Sequence, residues 1–344
     1  MSQAKERSVF ILGAGCSKPY GAPLMDAFLD QARNLYFTLR DKMDIESFDR
    51  VFDAIGYFSR VHSKASLDLV NLETVFSAFE MARLLGKIPE GCQTDADTLI
   101  SDLKRVIVVT LERSITPKSG VPGDGYGELA DLLHTLRGSG RGSAVVTFNY
   151  DLLCDYAFGN KGLNLLYGLT EMADGSEPRL LKLHGSLNWF LQDKKIETHS
   201  FQVRNDRTSS GDLISQLIVS RFNKNEVEAS PFLVPPTWNK GDHYGQIQPV
   251  WKAAAQELAK AHNIFVIGFS MPETDSFFHY LYALGSESRE QLRRFFVFNP
   301  DEKVMERFER LLGTGALKRF KAFSGNPGHF ELVTSRIKSE LSIK

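Results

Sequence analysis

Short unbroken apolar runs along the chain alternate with longer stretches whose apolar residues recur every three or four positions. Six of the short runs are rich in β-branched and aromatic residues and stop at turn-forming residues, a pattern that predicts strands. They are VFILG (9–13), SAVVTFN (143–149), RLLKLHG (179–185), NIFVIG (263–268), RFFVFN (294–299) and RFKAF (319–323). Several lack polar alternation, as strands covered by helices on both faces do. Helical patterns adjoin most of them: PLMDAFLDQARNLYF after the first, VWKAAAQELAKA before the fourth and EKVMERFERLL after the fifth. Strand–helix–strand alternation predicts an α/β chain built on a doubly wound, Rossmann-like parallel sheet of about six strands.

Two stretches break this alternation. Between positions 13 and 143 lie helix-like segments including ESFDRVFDAIGYF, NLETVFSAFEMARLL and DTLISDLKRVIVVTLERSI, read as a helical module inserted at 21–138. SITPKSGVPGDGYGE (114–128) reads as the loop that returns the chain to the sheet. The second stretch, 187–245, is a smaller mixed insertion in which SFQV and LISQLIVS predict strands and PFLVPPTW ends on a stiff Pro-Pro turn. The expected organisation is one domain over 1–344, with 8–20 and 140–340 as its sheet core. No internal repeat or low-complexity tract stands out.

Composition narrows the function classes. The 344 residues carry 41 Lys and Arg against 42 Asp and Glu, well mixed, for a net charge of −1. A nucleic-acid binder concentrates basic residues, so direct nucleic-acid binding is not expected; KRFK (318–321) reads as a strand edge. No apolar run approaches the roughly 20 residues that cross a bilayer. The apolar part of MSQAKERSVFILGAG is too short for a signal segment, so the expected setting is cytoplasmic, away from membranes. Cys16, Cys92 and Cys154 lie far apart, which gives neither a disulfide framework nor a zinc ribbon; no metal is expected.

The chemistry gathers at the strand ends. ILGAGCS places two glycines between the first strand and a helical segment, where a tight turn exposes backbone N–H groups to a phosphate. An ordinary tight turn reads the same way. The dehydrogenase fingerprint G-x-G-x-x-G needs glycine at position 18, where Lys18 stands, and its acidic partner is displaced by the helical insertion. No phosphate loop of the form G-x-x-x-x-G-K-[ST] occurs. The carboxyl ends of the strands nevertheless read Gly13-Ala14-Gly15-Cys16-Ser17, Phe148-Asn149-Tyr150-Asp151, His184-Gly185-Ser186, Gly268-Phe269-Ser270 and Asn299-Pro300-Asp301. Small and hydrogen-bonding groups thus converge where open α/β sheets bind ligands.

In order and context, GAGCS, TFNYD, KLHGS, IGFS and FNPD resemble the NAD-binding domain of the sirtuin (Sir2) family. The longer KLHGSLNWF and LVPPTW resemble its branch in bacterial NAD-depleting antiphage defence. The resemblance covers roughly 10–60, 140–190 and 230–330. It departs from sirtuin deacylases in lacking their four-cysteine zinc module, whose place 187–245 holds, and in reading KPYGAPLM where they carry Pro-Asp-Phe-Arg.

The resemblance implies NAD+ as substrate, with Asn149 and His184 catalytic. Asn149 would place water or the ribose hydroxyls at the anomeric carbon, and His184 would serve as general base. Asp151 would orient the nicotinamide carboxamide. Gly13, Ala14, Gly15, Ser17 and Gly268 would cradle phosphate, and Ser270 and Asn299 would contact phosphate or the adenosine ribose.

Plainer roles stay open for each. Asn149 could cap the following helix, His184 could be a hydrogen-bonded core residue, and Asp151 could favour a helix dipole. Ser270 and Asn299 suit strand-end turns. Cys16 reads as a packed thiol rather than a nucleophile, and Trp189 and Trp238 as core or as lids over the site. The expected activity is NAD+ hydrolysis to nicotinamide and ADP-ribose, in a homo-oligomer or beside a partner ATPase or nucleic-acid-guided protein. The rivals are an NAD-dependent protein deacylase and a non-catalytic NAD or ADP-ribose sensor.

Overall fold

The computed structural model describes residues 6–39, 45–60, 67, 69–118, 123–171, 173–207, 213–220, 230–235, 244–272, 276–288 and 290–343. Three strands open the chain's sheet segments: β1 (Ser8–Leu12), β2 (Ser143–Thr147) and β3 (Arg179–Lys182). Five shorter or peripheral ones follow: β4 (Gly185–Gln192), β5 (Lys195–Thr198), β6 (Phe201–Arg207), β7 (Leu213–Val219) and β8 (Pro231–Leu233). The last three are β9 (Asn263–Ile267), β10 (Arg294–Phe298) and β11 (Phe320–Phe323). The helices of the first half are α1 (Phe28–Leu39), α2 (Glu46–Phe58), α3 (Leu72–Leu85), α4 (Ala96–Ser114) and α5 (Gly125–Gly138). Those of the second half are α6 (Leu153–Asn160), α7 (Tyr244–Ala259), α8 (Ser276–Gly285), α9 (Lys303–Leu311), α10 (Thr314–Leu317) and α11 (Phe330–Glu340).

All six expected strands join one parallel sheet, in the order β11-β10-β9-β1-β2-β3. Numbered one to six along the chain, they run 3-2-1-4-5-6 from the β3 edge, the doubly wound order whose direction reverses between β1 and β9. β1, β2, β3 and β9 are buried at every position, which explains why they lack polar alternation. Aromatic rings fill the layers above and below: Phe10 meets Phe265 at 5.3 Å and Phe295 meets Tyr282 at 5.6 Å. Each such ring adds on the order of 1.5–3 kcal/mol of burial.

The helical segment centres on α4, against which α1, α2 and α3 pack. α2 buries Phe48, Val51, Ala54 and Phe58, a stripe at helical spacing. The side chains of Asn71 and Asp95 accept the Thr74 and Thr98 N–H groups at the starts of α3 and α4, caps worth about 1 kcal/mol each.

Two expectations need correcting. The supposed return loop contains the start of α5, which packs against α6 and α11. Its first turn is glycine-rich because space demands it: a Cβ on Gly125 would come within 2.7 Å of the Phe330 ring, and one on Gly127 within 2.4 Å of the Asp124 carboxylate. Low helix propensity hid the helix. The second correction is β4, which leaves β3 directly and pairs antiparallel with β5 and β8. Its only punctuation is Gly185, at φ +87°, where a Cβ would sit 2.1 Å from the Phe232 carbonyl oxygen. β6 and β7, the two strands expected in this stretch, pair antiparallel with each other.

Candidate active site

The sheet reverses its winding at β1 and β9, and the site is built there from the carboxyl ends of β1, β9, β2 and β3. Leu12 lies opposite both Thr147 and Ile267, so Gly13 leaves β1 level with Gly268 leaving β9. Their backbones interlock. Gly13 N–H donates to the Ile267 carbonyl and Gly15 N–H to the Gly268 carbonyl, each at 3.0 Å. A Cβ on Gly13 would stand 2.4 Å from Phe269 Cα, one on Gly15 2.8 Å from Gly268 O, and one on Gly268 2.7 Å from Cys16 N. The three glycines are required by this crossing of chains. Within Gly13–Ser17, four N–H groups bond to protein carbonyls; that of Ala14, half-buried, has no acceptor among the described residues.

The second pair of strand ends carries the amide and the imidazole. Thr147 of β2 is registered with Lys182 of β3, and Leu183 N–H donates to the Thr147 carbonyl at 2.9 Å. Asn149 and His184 therefore leave neighbouring strands, spaced about 5 Å apart, at the same height. The His184 ring, buried, lies edge-on to Phe148 at 5.1 Å. Phe148 in turn stacks on Phe269 at 4.5 Å and 8°, an aromatic layer joining the β2 end to the β9 end.

Asn149 does not cap α6. Its Nδ2 donates to the Gly13 carbonyl at 3.0 Å and to Ser17 Oγ at 3.1 Å, with Tyr126 Oη at 3.4 Å. The Gly13 carbonyl can only accept, so the amide's orientation is determined. Its Oδ1 has no donor among the described residues, and the side chain is only partly buried. Thr147 Oγ1 holds the Asn149 backbone N–H at 3.1 Å while donating to the Leu12 carbonyl.

Asp151 takes the capping part: its Oδ1 accepts the Leu153 N–H at 3.0 Å at the start of α6, and its Oδ2 accepts from Ser17 Oγ at 2.7 Å. Burial pushes its carboxyl above the ordinary carboxylate range, opposed by Lys182 and the Ser17 hydroxyl. Ser17 is buried, with its hydroxyl shared among Asp151, Asn149 and Tyr126.

The other expected residues occupy the β9 and β10 ends. Ser270 is exposed, and its carbonyl accepts from Arg307 Nη1 at 2.9 Å. Asn299 is buried in a turn, its Oδ1 accepting the Asp301 N–H at 3.0 Å. Cys16 is buried, its thiol donating to the Ile267 carbonyl and pushed up by desolvation, as suits packing. Trp189 is fully buried and edge-on to Tyr167 at 5.2 Å, so it packs the core rather than lidding the site. Trp238 lies outside the described residues. No group of three or more His, Cys, Asp or Glu placed to hold a metal occurs among the described residues, and none of their helices is long and apolar enough to cross a membrane.

Two neighbours of these candidate residues escaped the sequence reading. Tyr126 reaches the amide from α5, and a tyrosine in a glycine-rich stretch gives no signal of that. Lys182, buried within β3, donates to the Asp151 carbonyl at 2.6 Å and to Asp155 Oδ2 at 2.9 Å. A lysine inside a run expected to be fully buried was a readable signal.

No protein-family model matches the chain. No curated protein matches it either. Among solved structures, a Sir2 homologue complexed with NAD is 14% identical, with 98% of this chain and 91% of that one covered at a TM-score of 0.41. Sir2 with a p53 peptide and NAD+ is 13% identical, covering 99% and 95% at 0.43. Sir2 with an inhibitor, 2′-O-acetyl-ADP-ribose and deacetylated p53 peptide is 12% identical, covering 98% and 94% at 0.41. These three neighbours are Sir2 proteins.

Proposed function

We propose that the carboxyl end of the sheet binds NAD+ and hydrolyses its nicotinamide–ribose bond. The observation that carries this reading is the Asn149 amide, clamped through Nδ2 with Oδ1 left to accept, level with His184 on the adjoining strand end. The residues fit a dinucleotide. The Ala14 N–H offers a donor for a phosphate at the crossing of β1 and β9, and Ser270 stands exposed two residues beyond Gly268.

The scissile bond joins ribose C1′ to a cationic ring nitrogen. When it breaks, its electron pair neutralises the departing nicotinamide, so no acid need protonate the leaving group. Positive charge then builds on the sugar. Asn149 Oδ1 would accept a hydrogen bond from the attacking water and hold it at C1′, and His184 would take the proton that water releases. The products are nicotinamide, ADP-ribose and one proton. Asp151 acts from behind, fixing Ser17 and the start of α6.

The motifs' resemblance to the defence branch extends the proposal to NAD+ depletion during phage infection, in a homo-oligomer or with a partner protein. The test is purified protein with NAD+ alone, nicotinamide detected directly, across protein concentrations. Release without any acylated substrate supports the hydrolase. Release only with an acyl-lysine peptide assigns the site to a deacylase, and NAD+ binding with no release at any concentration assigns it to a sensor.

A further inference from the structure

Tyr126 lies outside the sheet, yet its hydroxyl sits inside the network that holds Asn149. Ser17 Oγ is 2.8 Å from Tyr126 Oη, 2.7 Å from Asp151 Oδ2 and 3.1 Å from Asn149 Nδ2. Ser17 has one proton, and Asp151 receives it, so Tyr126 must donate to Ser17 while Asn149 donates alongside. Burial pushes the Tyr126 hydroxyl well above its ordinary value, which keeps it a donor throughout the working pH range. The ring is itself tightly held. It packs on Tyr20 at 5.2 Å and edge-on to Phe330 at 4.9 Å, while the Tyr126 backbone N–H donates to Tyr20 Oη at 3.0 Å. Tyr20 Oη in turn donates to Asp124 at 2.6 Å.

We propose that Tyr126 is a positioning residue for the reaction, setting the Asn149 amide through Ser17, so that the start of α5 governs the geometry at the sugar. This rests on the NAD+ hydrolase reading for its kinetic consequence but not for its geometry. With the Tyr126 hydroxyl removed, Ser17 Oγ turns to satisfy its vacant lone pair, and the Nδ2 clamp loosens. Substrate still binds, since among the described residues no contact joins Tyr126 to the Ala14 N–H or to Ser270, and buried Ser17 spends its hydroxyl within this network.

The test is a double-mutant cycle of Tyr126→Phe and Ser17→Ala, read by nicotinamide release. Tyr126→Phe keeps both ring contacts and should lower kcat about 3- to 30-fold with KM for NAD+ within about twofold. The double variant should be no slower than Ser17→Ala. Unchanged kcat in Tyr126→Phe, or multiplicative losses in the double variant, overturns the proposal. A second readout is independent of turnover: the side-chain amide NMR signal of Asn149, assigned by its loss in Asn149→Asp. It should shift and exchange faster with solvent in Tyr126→Phe. If wild type releases no nicotinamide but this signal responds, the hydrolase reading fails and the positioning role stands; an unaltered signal removes the positioning role.

Discussion

The two ends of the same parallel sheet are built on opposite rules. At the amino end, where β1, β3, β9 and β10 begin, long charged side chains lock onto one another. Glu257, fully buried, receives Arg7 through a two-pronged contact and Arg179 at 2.6 Å. Arg294 spans Asn263 and Glu6. At the carboxyl end one ion pair, Lys182–Asp155, is buried behind Asp151, and the chain otherwise presents glycines, an amide, an imidazole and short hydroxyls, with the Ala14 N–H and Asn149 Oδ1 left unspent among the described residues. The first end uses its polar groups on itself. The second reserves some of them, and reserved hydrogen-bonding capacity held by a rigid frame is what a binding site requires.

The largest expected effects test this division directly. Asn149→Ala and His184→Ala should each lower the rate of nicotinamide release about 10²- to 10⁴-fold, a loss far larger than their effect on the folded fraction. Glu257→Gln should do the reverse. Leaving two arginines without their carboxylate in a buried site costs about 3–5 kcal/mol, read by denaturant unfolding, while the remaining folded protein keeps its kcat. If Glu257→Gln reduced kcat in folded protein as much as Asn149→Ala does, the two ends would not be separable.

A pair of glycines sharpens the contrast on a smaller scale. A Cβ at Gly13 would press on Phe269 Cα, backbone that cannot yield without moving the Phe148–Phe269 stack. Gly13→Ala should therefore cost about 1–3 kcal/mol of stability and lower activity as well. A Cβ at Gly142 would instead meet the end of the Arg7 side chain, at 2.5 Å from Nη1. Gly142→Ala should disturb the Arg7–Glu257 contact and lower stability by a similar or smaller amount, with kcat in the folded protein unchanged.

Much of this frame was legible in the chain. Strands covered on both faces lose polar alternation, and short apolar-rich runs ending in turn residues marked all six, even edge strand β11, whose Lys321 and Ala322 are exposed. Their last residues could not be bounded, because Phe148 and Leu183 continue the apolar pattern after leaving the ladder. The order of strands was hidden, since pairing is a long-range property that no local pattern encodes. Asn149 and His184 were found as polar residues ending apolar runs; that they sit at one height is a fact of register. α5 was lost because its glycines answer to Phe330 and Asp124, neighbours that propensity does not see, and Tyr126 was lost with it.

The smallest expected effect opposes one carboxylate from each end. Asp151 is buried, and desolvation raises its pKa above that of the unfolded chain. Between those two values the native state holds more protons, so its stability falls as pH rises through the window. Asp174, largely exposed at the amino end, is shifted the other way by its hydrogen bonds from Lys260 at 2.7 Å. Its contribution is complete above the unfolded value and is lost as pH falls below it. Asp151→Asn should therefore gain stability relative to wild type as pH climbs from the ordinary carboxylate range toward neutrality, with Lys182 and Asp155 as the charged groups facing it. Asp174→Asn should gain relative to wild type only as pH descends below that range, and less, because solvent screens an exposed pair. Unfolding free energies of the three proteins over a pH series check both slopes. Slopes of the same sign would mean that the carboxyl end holds its aspartate as a salt-bridged anion, as the amino end does, and not as a desolvated anchor behind Ser17.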